Sequence, residues 1–527
     1  MLWIALHLPA LSLEAFAATL APAQAAAPAA LVEAHHIVQA NAAARALGVQ
    51  PGLKRATALA LVPDLLLGQA DAWRDAQALT AVAHAALAFT PAVALVGQGV
   101  RLEVQASLRY FGGLEALLRR LRAALQPLGH QMQMATAPTA LGAQLLARWR
   151  ADLAQGPHST ALVPLRGLLD GAPVALLDAG FEHHEALQGM GLRSVAQLRA
   201  LPRAGLARRF GPGLLLDLDR ARGESPEPHA WVVLPPQFAS RIELFTRADR
   251  SEQVVAGAAI LLARLVAWAQ ARHGRIARFT LRMHHEARRH RDLDDEPASH
   301  TDLQLALAEP AIDPQHLQQL LRERLGRLPL AAPALELSLH CDALVPGEAP
   351  NAELFPTRAS EHAGLARLIE RLQARLGREQ VRCLQLVQDH RPERATVTQA
   401  ADPARLARGG VGQGSGQGAA QSPASLAAAA GMMDNSIVTR PVWLCPEPEP
   451  LRLRAQRPWL DGQALQLLAG PERIESGWWD GALVARDYYV AQAGDGALVW
   501  VYRSRLPASP DAAGDGASGW FLHGRFA

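Results

Sequence analysis

The chain opens on a nearly unbroken apolar run, MLWIALHLPALSLEAF. Its order predicts a buried strand over Leu2–Leu8 and, beyond Pro9, a short amphipathic helix. A secretory signal would need a basic start and an uninterrupted apolar core. Here the first basic residue is Arg45 and Glu14 breaks the run. A bilayer span needs about 20 mainly apolar residues, which Pro9, Glu14, Pro22 and Pro28 prevent, and no other segment reads as long and apolar enough to span. Further on, Leu31–Leu67 reads as helices joined by short turns, with Pro51–Leu65 the amphipathic candidate. Val93–Gly113 alternates as a hairpin does, and Leu114–Gly129 carries the 3–4 spacing of a helix.

Ala186–Pro202, ALQGMGLRSVAQLRALP, has the form of a helix-hairpin-helix unit, in which glycine turns let backbone amides approach a DNA phosphate. Arg203, Arg208 and Arg209 follow at once; a plain helical pair with a glycine turn fits the same residues. From Phe238 to Leu344 the pattern changes to strand, helix, strand, strand, helix, strand, the split α+β order. Within it, Arg272–Arg291 holds seven arginines and four histidines against the single acid Glu286. Such a concentration on one hairpin suits a nucleic-acid backbone, through Arg275, Arg278, Arg282, Arg288 and Arg289; a solvated edge is the plainer account.

A compositional break divides the chain. Ala407–Gly431, ARGGVGQGSGQGAAQSPASLAAAAG, lacks the bulk to build a core and reads as a flexible tether. Beyond it, Thr439–Ala527 holds six of the eleven tryptophans and three of the four tyrosines, with short strand-like runs around Gly-Asp-Gly, and reads as a small β-rich domain. At 527 residues several domains are expected. Net charge is only +3, but the basic charge is almost all arginine, Lys54 being the one lysine, and arginine's planar fork suits phosphate. The cysteines, Cys341, Cys383 and Cys445, are widely spaced and form no metal-ligand pattern, as in a reducing cytoplasm. No P-loop, HExxH or GxSxG is present.

Taken in order, these pieces resemble the Y-family translesion DNA polymerases, and among them the ImuB-like, catalytically degenerate accessory proteins of bacterial mutasomes. The phrases that carry the likeness are LWIALHLPALSLEA, LEVQASLRYFGG, GLRSVAQLRALPRAGLARRFGPGLL, GPERIESGWWDG, RDYYV and WFLHGRFA. The resemblance implies an α+β multi-domain fold. Palm and fingers would span 1–165 (fingers about 11–76), a helix-hairpin-helix thumb 166–232 and a little finger 233–346. A clamp-motif segment and helix would follow over 347–400, then a flexible linker over 401–438 and an aromatic, β-rich C-terminal domain over 439–527.

Nucleotidyl transfer requires two Mg²⁺ about 3.5–4 Å apart, held by carboxylate oxygens. Active members of the family carry D-x-D on the first strand and D-E on a later hairpin. With Glu14 as anchor, the strand positions fall on Ala5 and His7; the hairpin pair falls on Glu103 and Val104 within RLEVQ, so only Glu103 offers an oxygen. The residue that screens the sugar falls near Ala10, the fingers pair on Ala42 and Arg45, and Thr136–Arg148 contains no lysine. The resemblance therefore implies a palm without chemistry, with no metal and no cofactor. A distributive polymerase using Glu103 and other acids is the alternative, and a simple DNA-binding module a third reading.

Past the little finger, Ala349–Arg358 contains Asn351-Ala352-Glu353-Leu354-Phe355, similar to the bacterial sliding-clamp motif Q-x-x-L-F. Leu354 and Phe355 would fill an apolar pocket while Asn351 hydrogen-bonds at its rim; a loop folded back on its own body is the other reading. By the same resemblance, the expected partners are primer–template DNA, the β sliding clamp, the RecA-like ImuA protein and an error-prone C-family DNA polymerase, with no membrane. The expected place is the cytoplasm, on the nucleoid when bound to DNA.

Overall fold

The computed structural model describes residues 1–285, 299–330, 332–347, 358–403, 440–441, 443–506 and 519–526. It divides into two units, Met1–Arg375 and Leu376–Ala527. The fold is α+β throughout the first unit and β in the second.

The opening run forms strand Trp3–His7, at an inner position of a four-stranded sheet ordered Val93–Val96, Gly99–Glu103, Trp3–His7, Gln133–Ala137. All neighbours are antiparallel. The run is apolar on both sides because both faces are covered. Ile4 and Leu6 join the core under helices Ala72–Leu87 and Leu114–Leu125. Trp3 and Ala5 join a second core with helix Ala140–Trp149 and the small helices that follow it.

Leu31–Leu67, expected as helices, instead holds a three-stranded sheet of His36–Ala40, Ala29–Glu33 and Leu66–Gln69, with only two short helices, Ala42–Ala46 and Arg55–Leu61. The turn explains the difference. Ala34 and His35 both adopt positive φ (45 and 68), as a two-residue hairpin loop demands, and such residues do not announce it. In the helix-hairpin-helix stretch, His184–Gly189 and Val195–Arg199 are helical. Gly191 turns between them at φ 77, and the Ser194 hydroxyl accepts from the Gln197 amide to start the second helix.

The order expected for Phe238–Leu344 is present: strand Phe238–Ala248, helix Ser251–Ala271, strands Gly274–His285 and His300–Ala311, helix Pro314–Leu325, strand Ala334–Pro346. In space the strands run His300–Ala311, Gly274–His285, Ala334–Pro346, Phe238–Ala248. Both helices cover one face, packing Leu261, Leu265, Leu317 and Leu321 against Phe279, Leu281, Leu337 and Leu339. Here the expectation that no further segment reaches bilayer length fails: Ser251–Ala271 is long and apolar enough by composition. Its apolar character comes from burial, since it packs against both the second sheet and helix Ala72–Leu87.

In the second unit, hairpin Arg382–Leu386/Thr396–Ala400 is joined by a five-stranded sheet ordered Trp443–Pro450, Trp520–Arg525, Leu498–Ser504, Val484–Gln492, Gln466–Ser476. Tyr488 and Trp500 stack at 4.0 Å in its core. Arg391 ties the hairpin to the sheet through Asp389 and, at 2.7–3.0 Å, Asp480. The aromatic residues divide between two roles: Tyr488, Trp500 and Tyr502 are core, whereas Trp478 and Trp479 are 78% and 54% exposed. The tether Ala407–Gly431 lies outside the described residues.

Candidate functional site

Strand alternation fixes which side chains share the first sheet's face. The register pairs Trp3 with Glu103, Ala5 with Arg101 and His7 with Gly99. Directly opposite residues point to the same side, so Ala5, His7, Arg101 and Glu103 share one face. Val104 does not: it is fully buried in the opposite core.

The one carboxylate among these four positions has one of its oxygens engaged. Glu103 Oε1 accepts from the Leu2 and Gln105 amides, each at 3.2 Å. Beside it, Arg101 is a direct cross-strand neighbour of Ala5, the position expected from the resemblance to match the first metal ligand. Arg101 is 7% exposed and bonds Glu227 and Gln144. Burial lowers its pKa, and the Glu227 charge opposes that. Glu227 uses its other oxygen on the Leu141 amide, 3.0 Å away in the first turn of helix Ala140–Trp149, where a negative charge is favourable.

The same face opens into a cavity of about 240 Å³ lined by Ala5, His7, Arg101, Gln144, Arg148 and Asp178 among others. Arg148 pairs with Asp178 at 2.9 Å. His7 is pushed below its ordinary pKa, first by burial and then by the Arg148 charge. Chemically, this is a cleft in which the guanidiniums of Arg101 and Arg148 are matched by the carboxylates of Glu227 and Asp178, with the His7 imidazole beside them. No group of three or more His, Cys, Asp or Glu poised for a metal occurs among the described residues. Arg101, Arg148 and Glu227 escaped the reading of the sequence. The period of two would have placed Arg101 on the face of Glu103, but nothing local signals a partner 126 residues away.

The residues expected to meet DNA fall into two groups. Arg203, Arg208 and Arg209 lie on helix Arg203–Phe210. Arg203 is held bidentately by Asp219 at 3.0 and 2.6 Å. Arg208 and Arg209 are exposed, with no carboxylate partner among the described residues. On strand Gly274–His285, Phe279, Leu281 and Met283 point into the core, which leaves Arg278, Thr280, Arg282 and His284 outward. Arg282 is held by Asp302 at 2.7 and 2.8 Å and Arg278 by Asp342 at 3.6 Å, so acids offset this face. Arg275 lies opposite Val345 on the same strand. Arg288 and Arg289, and the clamp-like Asn351, Leu354 and Phe355, lie outside the described residues.

No family model matches the chain. It is 30% identical over 491 residues to Protein ImuB of Caulobacter vibrioides (strain NA1000 / CB15N), an alignment covering 91% of this chain and 100% of that protein. The same values hold for Protein ImuB of strain ATCC 19089 / CIP 103742 / CB 15. Among solved structures, a Dbh ternary complex is 15% identical with a TM-score of 0.36, covering 66% of this chain and 99% of that one. DinB from Sulfolobus solfataricus is 14% identical with a TM-score of 0.35, at the same coverage.

Proposed function

The chain belongs to the ImuB family, and from that premise we propose that it is a Y-family polymerase-like adaptor without catalysis in translesion synthesis and damage-induced mutagenesis. The observation that carries the reading is the palm face itself. Ala5 supplies no oxygen, Glu103 commits Oε1 to two backbone amides, and Arg101 stands opposite Ala5 on the neighbouring strand. Two divalent ions need several free carboxylates to replace their hydration shells; here Glu103 has one oxygen engaged, and the nearby Glu227 and Asp178 are paired with Arg101 and Arg148.

Without nucleotidyl transfer, the work left is binding. Primer–template DNA would be gripped through Arg208 and Arg209 of the thumb and the outward face of the little-finger sheet. Asn351, Leu354 and Phe355 would hold the β sliding clamp, and the C-terminal region would recruit the RecA-like ImuA protein and an error-prone C-family polymerase. Joining such sites on one chain raises local concentration without new chemistry. The domain boundaries from the sequence serve as this proposal's frame.

Primer extension with Mg²⁺ or Mn²⁺ tests the first half. The purified chain is expected to extend no primer, and extension that disappears on Glu103→Gln would establish the distributive-polymerase alternative instead. For the second half, Leu354→Ala with Phe355→Ala is expected to abolish clamp binding in a surface-immobilised assay while DNA binding persists.

A further inference from the structure

The first sheet has a second surface that the adaptor reading leaves unused. Helix Leu114–Leu125 buries Leu117, Leu118, Leu121 and Leu125 against the face opposite Ala5 and Arg101. Its outer side, and the short helix Leu108–Phe111 before it, therefore lie on the far side of the sheet from the degenerate cleft.

That outer side is basic. Between Val104 and Gly129 the sequence has four arginines, Arg109, Arg119, Arg120 and Arg122, and one acid, Glu115. All four arginines are exposed, and none has a carboxylate partner among the described residues. This contrasts with Arg203, Arg278 and Arg282, each of which is held by an acid.

An aromatic platform adjoins Arg120. Tyr110 is 83% exposed, the only tyrosine outside the second unit. Its ring is braced edge-on by Phe111 at 4.9 Å. The Arg120 guanidinium lies 5.7 Å from the centre of the same Phe111 ring. Unpaired guanidiniums beside an exposed, braced ring are the parts of a single-strand site: the arginines meet phosphates and an unpaired base stacks on the ring. A duplex keeps its bases stacked inside and gives Tyr110 nothing to stack on, while an acidic peptide would use the charge but not the ring.

We propose that Arg109, Tyr110, Arg119, Arg120 and Arg122 form a surface for single-stranded nucleic acid on the back of the first sheet, separate from the primer–template path. The full chain can be titrated with a fluorescein-labelled oligothymidylate and, in parallel, with blunt duplex DNA, reading anisotropy across a range of salt. Tyr110→Ala is expected to weaken oligothymidylate binding at least about fivefold, the low end for a lost stack. Arg119→Gln with Arg122→Gln is expected to flatten the salt slope by ~0.7 for each lost phosphate contact. Duplex affinity should hold in both variants, and because these side chains are exposed, circular dichroism and tryptophan fluorescence should be unchanged. Unchanged oligothymidylate affinity and slope overturn the proposal, as does an equal loss for duplex. So does a fluorescein-labelled polyglutamate peptide that competes off the oligothymidylate and whose own affinity is insensitive to Tyr110→Ala, which would make the surface one for acidic protein.

Discussion

His84 and His523 are imidazoles kept neutral by their surroundings. His84 is 7% exposed in helix Ala72–Leu87, and His523 is 1% exposed and shares a 2.7 Å hydrogen bond with the Tyr488 hydroxyl. Burial pushes each down to about 4. The unfolded chain, with imidazoles near their ordinary 6.5, therefore takes up more protons than the folded one between those values. Their contribution to stability is complete above about pH 6.5 and is lost as the pH falls toward 4. Thermal melts are expected to show a flat midpoint from pH 8 to 7 and a fall of at least about 5 °C by pH 4.5. His84→Gln and His523→Gln should each flatten that fall. Asp480, held at about 2 by hydrogen bonds from Arg391, titrates below this window and cannot account for it.

At the scale of elements, the segment Glu227–Val232 is pinned along the first sheet. Glu227 meets Arg101, His229 and Trp231 lie against Trp3 with ring centres 4.5 and 6.1 Å away, and the Val232 amide donates to Val93 at 2.8 Å. Glu227→Ala strands a buried guanidinium and is expected to destabilise the first unit by about 3–5 kcal/mol. Replacing both partners, Arg101→Met with Glu227→Met, should come close to neutral. Urea unfolding of the two variants decides the matter: equal losses would mean that the pair is not coupled.

How far the sequence could be read follows the same lines. Leu2–Leu8, the helix at Leu114–Gly129 and the first helix of the Phe238–Leu344 order, found at Ser251–Ala271, were legible because long apolar periodicity is local. The strands within Leu31–Leu67 were not, because an alanine-rich stretch of five-residue strands carries little contrast and its turn uses Ala34 and His35 rather than glycine. That Ala5, His7 and Val104 carry no acid where the resemblance expects one could be read from the sequence. The cation that fills the gap could not, since Arg101 gains its meaning only from register and from a partner distant in sequence.

For the whole molecule, the proposed function has the consequence that the cleft beside Ala5 does not amount to an active site lacking one residue. Ala5→Asp alone is expected to restore no metal binding, because the new carboxylate faces Arg101 across the strand pair and would pair with it. Calorimetric titration of that variant with MgCl₂ should give no binding heat, and primer extension should stay at background. A magnesium isotherm saturating at millimolar concentration would show that the arginine yields to the ion.

The Arg101–Glu227 contact also constrains what single substitutions can do. On the reading proposed above, a change toward chemistry would have to discard a cation and its anion while supplying several acids, and each single step leaves one charge stranded away from water. The clasp therefore acts as a ratchet, and the substitutions it leaves free fall on the surfaces around it.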